Sequence, residues 1–193
     1  MDKIRPADLL DIEKYEQVRP EFRQEIMAHK QVRRIQLGPD ISITFEDRRT
    51  IIFQIQEMMR AERLVRASAI QAEIDVYNDL IPDQGQLSAT LFIEITQSDH
   101  IKSNLNRFIG LTDDQSLCLQ VGDHRIEAEF EAGRAEEDKI SSVHYIRFSF
   151  SPRQIALFLD ESIAVNMSIY RSDYHHTIPL SPESRSSLSL DFD

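Results

Sequence analysis

The sequence predicts an α+β protein: a helical N-terminal half carrying a small β-hairpin, packed on a mostly antiparallel sheet with helices on one face. Three observations point there. Apolar residues recur at helical spacing through much of the first half. Apolar and polar residues alternate through much of the second half. Hydrophobic residues make up 41 % of the chain, enough for a sizeable core and too many for disorder. The expected organisation is a helical segment with the hairpin over residues 1–82 and a sheet segment over residues 83–193, joined as one compact unit.

Residues 7–18 read as a short helix that stops before Pro20, because the residue preceding a proline avoids the α region. Pro20 suits the first turn of a second helix running to about Arg34. Residues 35–37 and 41–45 alternate around Gly38-Pro39-Asp40, which predicts a hairpin. Asp47 is placed to cap a long helix from Arg48 to about Leu80, with a break at Ser68 and Pro82 closing it. Residues 86–95 form a strongly apolar strand, and residues 98–109 read as a helix opened by Ser98 or Asp99. Residues 117–121 and 125–130 pair around Gly122-Asp123. Residues 132–142 form a polar, acidic loop. Residues 143–150 alternate, residues 152–159 suit a short helix, and residues 163–169 alternate again. Residues 174–178 suit an edge strand and residues 182–190 a last helix.

The bulk numbers exclude several function classes. The net charge is −11 and the pI near 5.0, with no cluster of Lys and Arg, so neither nucleic acid nor an anionic membrane is an expected partner. Cys118 is the one cysteine, so the chain alone builds no disulfide and no Cys-based zinc or iron–sulfur site. That usage suits a reducing cytoplasm. The charged start has no apolar run behind it, so it does not read as a signal peptide. No stretch approaches the ~20 apolar residues of a membrane helix. None of the 5 glycines forms a phosphate-binding loop, and nucleophile elbows, HExxH and CxxC are absent, so no motif implies a cofactor. The charge is uneven: residues 1–82 are net −2 and residues 83–193 net −9.

The informative charges lie on the helix stripes. At 100° per residue, Ile51, Ile55, Met58, Met59 and Val65 define one apolar stripe, and Glu62 falls near its middle with Arg66 one turn on. If the helix is continuous, Glu73 returns to the same face beside Val76, Tyr77 and Leu80. On the preceding helix Phe22, Ile26, His29 and Arg33 share a face, with Glu25 at its edge. A carboxylate in an apolar stripe is costly unless paired. Two helices flanking a hairpin are therefore expected to bring His29 and Arg33 against Glu62 and Glu73. One reading is a buried ion network that fixes the helix packing. Another is a site, with Glu25, His29 and Glu62 as metal ligands, or Glu62, Glu73 and Arg33 as catalytic groups. A third uses Arg33, Arg66 and Tyr77 to hold an anion. A di-iron bundle fits poorly, because Glu25 and His29 are four apart and no Glu-x-x-His occurs.

Other residues read as structural. His144 is in phase with Ile146, Phe148 and Phe150, as a hydrogen-bonded core histidine would be. His175 and His176 point to opposite strand faces, and so do His124 and Glu127. Cys118 reads as a small apolar filler, and Met58 and Met59 as core packing. The acidic tip at Glu136-Glu137-Asp138-Lys139 is solvated, or meets a basic partner surface.

Several strings carry a resemblance. Arg19-Pro20-Glu21-Phe22-Arg23, Arg33-Arg34-Ile35-Gln36-Leu37-Gly38-Pro39, Phe53-Gln54-Ile55-Gln56-Glu57-Met58 and Arg60-Ala61-Glu62-Arg63 are similar to an uncharacterised bacterial family, domain-of-unknown-function family 3501. Residues 73–82 and 87–95 resemble it too, and the likeness extends over nearly the whole chain. The resemblance implies a soluble bacterial protein, often encoded beside rubrerythrin-like and iron–sulfur oxidoreductase genes. It implies a redox or oxidative-stress setting, with any iron–sulfur chemistry residing in a partner, and it assigns no catalytic residue. Two functions follow as expectations: an accessory or adaptor protein docking a redox or iron-handling partner, and an enzyme or metal-binding protein using Glu25, His29, Arg33, Glu62 and Glu73.

Overall fold

The first helix, α1 (Ile12–Arg33), starts where the Asp11 carboxylate accepts the Lys14 N–H. A computed structural model describes residues 1–95, 105–112, 115–131, 135–136, 139–171 and 173–192. The expected helix over residues 98–109 lies mostly outside these, as does part of the acidic tip at residues 136–139. Two helices were expected to meet at Pro20, but α1 runs through it as one helix of 22 residues. Pro20 is exposed, while Tyr15, Ile26 and Arg33 are buried. The missing N–H thus falls on the water side, and packing of the other face outweighs the local penalty.

The chain then turns through β1 (Arg34–Gln36) and β2 (Ile41–Glu46), with Gly38 at φ +79° in the turn. This hairpin is the edge of a larger sheet. β2 pairs with β3 (Gln86–Ile93), β3 with β9 (Val143–Ser149), and β9 with β6 (Glu129–Phe130). The order is β1-β2-β3-β9-β6, antiparallel throughout. A second sheet has the order β11-β10-β4-β5, built from β4 (Leu117–Val121), β5 (His124–Glu127), β10 (Val165–Arg171) and β11 (Tyr174–Pro179). A short ribbon joins β7 (Ala135–Glu136) to β8 (Lys139–Ile140).

Period-2 alternation gives both large sheets an apolar face. Ile43, Phe45, Leu91, Ile146 and Phe148 from the first sheet share one core with Leu117, Leu119, Met167 and Ile169 from the second. The other face of the first sheet is polar yet buried: Thr44, Glu46, Ser88 and Thr90 lie side by side in register. α1 covers that face, with Lys30 reaching Glu46 at 3.8 Å. His144 is buried, its Nε2 2.8 Å from the Ser141 carbonyl, as its phase predicts. Cys118 is also buried, and burial pushes its thiol pKa up.

Helix α2 (Arg48–Glu62) is capped by Asp47, which accepts the Thr50 N–H while Thr50 Oγ1 accepts the Asp47 N–H. It ends at Arg63, whose backbone is left-handed at φ 53°. Helix α3 (Ala67–Asn78) follows. The break expected at Ser68 therefore falls at Arg63–Arg66, and α2 and α3 do not share one continuous stripe. They enclose a second cluster with the N-terminal residues: Ile4, Ile51, Ile55, Met59, Ile74 and Ile81. Two short helices complete the fold, α4 (Pro152–Leu159) and α5 (Pro182–Ser189), capped by Ser151 and Ser181. After α5 the chain makes a 3-10 turn over Leu190–Phe192, and the Phe192 ring packs on Phe150 and Phe158 at 5.0 and 5.3 Å. Among the described residues no helix is long and apolar enough to cross a membrane.

Candidate functional site

His29 and Arg33 stand one turn apart at the end of α1, on the face turned to the β2–α2 junction. His29 Nε2 lies 2.5 Å from Asp47 Oδ2. Arg33 is 1 % exposed. Its Nε donates to the Phe45 carbonyl at 3.0 Å, and Nη2 donates to the Glu46 carbonyl at 3.3 Å and to Asp191 Oδ2. Its Nη1 donates to the Ser187 carbonyl, Ser187 Oγ and Asp191 Oδ1, each at 3.2 Å, and lies 3.6 Å from Asp47 Oδ2. Every N–H of the guanidinium therefore has an acceptor. One residue ties together α1, the end of β2, the cap of α2 and the segment after α5.

The electrostatics follow from burial and pairing. Burial raises the Asp47 pKa, but the Arg33 charge, the Thr50 N–H and His29 outweigh it and hold the carboxyl below its ordinary value. For Asp191, 2 % exposed, burial dominates and pushes the pKa up to about 6 despite Arg33. Clefts of about 760, 490, 430 and 360 Å³ among the described residues are lined by residues other than His29, Arg33, Asp47 and Asp191. The group is a closed ion network rather than an open site.

The expected meeting of His29 and Arg33 with Glu62 and Glu73 is corrected. Glu62 is the exposed last residue of α2, and Glu73 is half-buried on α3, beyond the break. Glu25 is exposed, its carboxylate 3.7 Å from Arg49. Glu25, His29 and Glu62 thus do not converge as metal ligands. Among the described residues no three His, Cys, Asp or Glu side chains are grouped to hold a metal ion. Nor do Arg33, Arg66 and Tyr77 form an anion site, since Arg33 is consumed internally and Arg66 is exposed at the start of α3.

The reason is the direction of the helices. Joined by a hairpin, α1 and α2 run antiparallel, and their contacts form a ladder: Glu16 with Arg60 at 2.6 Å, Arg19 with Glu57 at 2.7 Å, Glu25 with Arg49, and His29 with Asp47. As one number rises the other falls. The end of α1 can only meet the start of α2, and Glu62 lies at the opposite end. That signal is in the sequence once the hairpin is recognised, and it selects Asp47, which was read only as a cap. Asp191 has no local signal. Tyr15 joins the same ladder, its hydroxyl donating to Glu57 Oε1 at 2.7 Å; Arg19 holds the Glu57 pKa below its ordinary value.

Fold and network together define a class: an α+β protein with two antiparallel sheets, helices over one polar sheet face, and a buried arginine as the central tie. Residues 3–192 match the model of a family described as a protein of unknown function, DUF3501, and the chain belongs to that family. It is similar to a novel protein of unknown function from Burkholderia pseudomallei K96243, whose crystal structure was solved at 1.90 Å resolution. The two share 29 % identity over 100 % of both chains, with a TM-score of 0.91. No curated protein matches the chain.

Proposed function

We propose that the protein is a non-enzymatic accessory or adaptor, acting in the cytoplasm of a bacterium beside a redox or iron-handling protein. The observation that carries this reading is the state of its interior charges. Arg33 is 1 % exposed and all its donors are taken. A catalytic or ligand-holding group needs free lone pairs or protons facing a cleft. A scaffold needs its charges paired and sealed, and that describes Arg33, Asp47 and Asp191. The net −9 of residues 83–193 offers an acidic surface to a basic partner face. The gene neighbourhoods implied by the family resemblance support a partner of the rubrerythrin or iron–sulfur type.

The alternative is a metal-binding protein or enzyme built on the cluster between α1 and α2, with His29 as its most accessible member at 18 % side-chain exposure. Elemental analysis of untagged protein, joined to calorimetric titration with a small iron–sulfur protein, separates the two. The adaptor reading expects far less than one metal per chain and a salt-sensitive association. Stoichiometric iron, zinc or manganese that is lost in His29→Ala overturns it.

A further inference from the structure

Helix α3 is held from one side only. Ile74 is buried and Ile70 and Tyr77 pack inward, while Ala72 and Val76 stand outward. Val65, in the bend before the helix, is 78 % exposed, and Val76 is 65 % exposed. The two valines stand eleven positions apart, on either side of Ala69 and Ala72, so the apolar part of this face is a narrow strip. The charges beside them run against the helix's own field. Arg63 and Arg66 stand at the N-terminal end, where unpaired amides already carry positive character. Asp75 and Asp79 stand at the other end, where carbonyls carry negative character. No acidic residue occupies the first turn, no basic residue the last, and Arg66 makes no side-chain cap. Lys3 Nζ, 3.1 Å from the Asn78 carbonyl, and Arg147, on the Asp79 carbonyl, serve the C-terminal end from within the chain, whereas no acidic side chain serves the N-terminal end. The exposed side chains, basic at one end and acidic at the other, complement an antiparallel neighbour with the same sequence.

We infer that the outer face of α3 is the contact of an antiparallel homodimer. The pattern is self-complementary, as a two-fold interface requires. Pairing Ala69 with the partner's Ala72 lets the two backbones approach closely and places Val65 over the partner's Val76. The same register sets Arg66 opposite the partner's Asp75, and the two-fold repeats each contact. Asp75 already accepts the Gln71 Nε2–H at 2.7 Å, which orients the carboxylate and leaves its second oxygen for Arg66. A 12-residue helix covers less than the roughly 1,600 Å² of a standard interface, so the association depends on concentration.

Sedimentation equilibrium of the whole chain, from micromolar to millimolar concentration, tests this. The mass rises with concentration from 22.4 kDa toward twice that value. Val76→Lys suits the C-terminal half of α3 electrostatically but places a charge on Val65, so it stays folded by its melting curve and monomeric by mass. Arg66→Asp weakens the dimer about tenfold, and adding Asp75→Arg restores it with the pairs reversed. A wild-type chain that remains at 22.4 kDa overturns the inference, and so does a dimer that ignores Val76→Lys. A dimer lost in Val76→Lys but indifferent to charge reversal and its rescue overturns the antiparallel arrangement.

Discussion

Arg33 is the residue with most at stake. Removing it leaves Asp47 and Asp191 buried without their cation, so Arg33→Ala is expected to cost about 3–5 kcal/mol, read from the urea midpoint. Arg33→Lys rescues little, because one ammonium cannot serve the Phe45, Glu46 and Ser187 carbonyls together. Asp191 makes an opposite contribution with a testable sign. Its folded pKa, about 6, lies above the ordinary 3.8, so the folded state binds a proton that the unfolded chain has released. Its contribution is fully present below about pH 4 and is lost as pH rises through 6, an effect of roughly 3 kcal/mol. Asp47 acts the other way: its stabilisation is present above its ordinary pKa and lost as pH falls through its depressed one. Asp191→Asn is therefore expected to flatten the stability profile between pH 4 and 6, measured by urea unfolding at each pH, and to leave the acid limb. A slope unchanged in Asp191→Asn refutes this assignment. Periodicity alone makes His29 and Arg33 legible as inward-facing members of α1. Asp191 is not legible, because its role rests on a contact across 158 positions.

At the scale of elements, caps read well and breaks read poorly. Asp47 is a chemically specific signal and caps α2 where expected, and Ser151 caps α4 by the same chemistry. Pro20 is an equally strong local signal, yet α1 overrides it, since the cost is paid once and the packing of Tyr15, Ile26 and Arg33 accrues along the helix. The reverse happens at Arg63. No glycine or proline marks the end of α2, and the chain enters a left-handed conformation on an arginine. Left-handed backbone costs a residue with a Cβ about 1–2 kcal/mol. Arg63→Gly, at an exposed position, is accordingly expected to raise stability by about 1 kcal/mol, visible as a higher melting temperature. A lower one would show that the arginine side chain stabilises the bend.

For the molecule as a whole, alternation shows that strands exist and which side of each is apolar, but not how they divide. The hairpin at Gly38 looks local, yet it is the edge of one sheet and a contact with the other. The Tyr174 hydroxyl, from β11, donates to the Leu37 carbonyl at 2.7 Å and accepts the Asp40 and Ile41 N–H groups at 3.0 and 3.2 Å. A Cβ on Gly38 would lie 2.6 Å from that hydroxyl and overlap the His176 ring, at a φ of +79° that side chains rarely adopt. Gly38→Ala is expected to cost at least ~2 kcal/mol in chemical denaturation. A neutral effect would mean that β11 moves freely relative to the hairpin. The charge total is better resolved at this scale too. The near-neutral helical part buries three of its charges, Arg33, Glu46 and Asp47, while the excess acidity belongs to the strand-rich part.

The Arg33–Asp191 contact also sets a clock. A ribosome adding about 5–20 residues per second needs roughly 8–30 s to travel the 158 positions between them. During that interval the residues of α1, the first hairpin and α2 are already made, but Arg33 has only one of its two carboxylate partners, Asp47. Until Asp191 is made, Arg33 is held by Asp47 and the Phe45 and Glu46 carbonyls, and the donors that Asp191 later takes are left to water. The emergence of Asp191 then completes the network, so the N-terminal half is finished only once a residue 158 positions further along has been made.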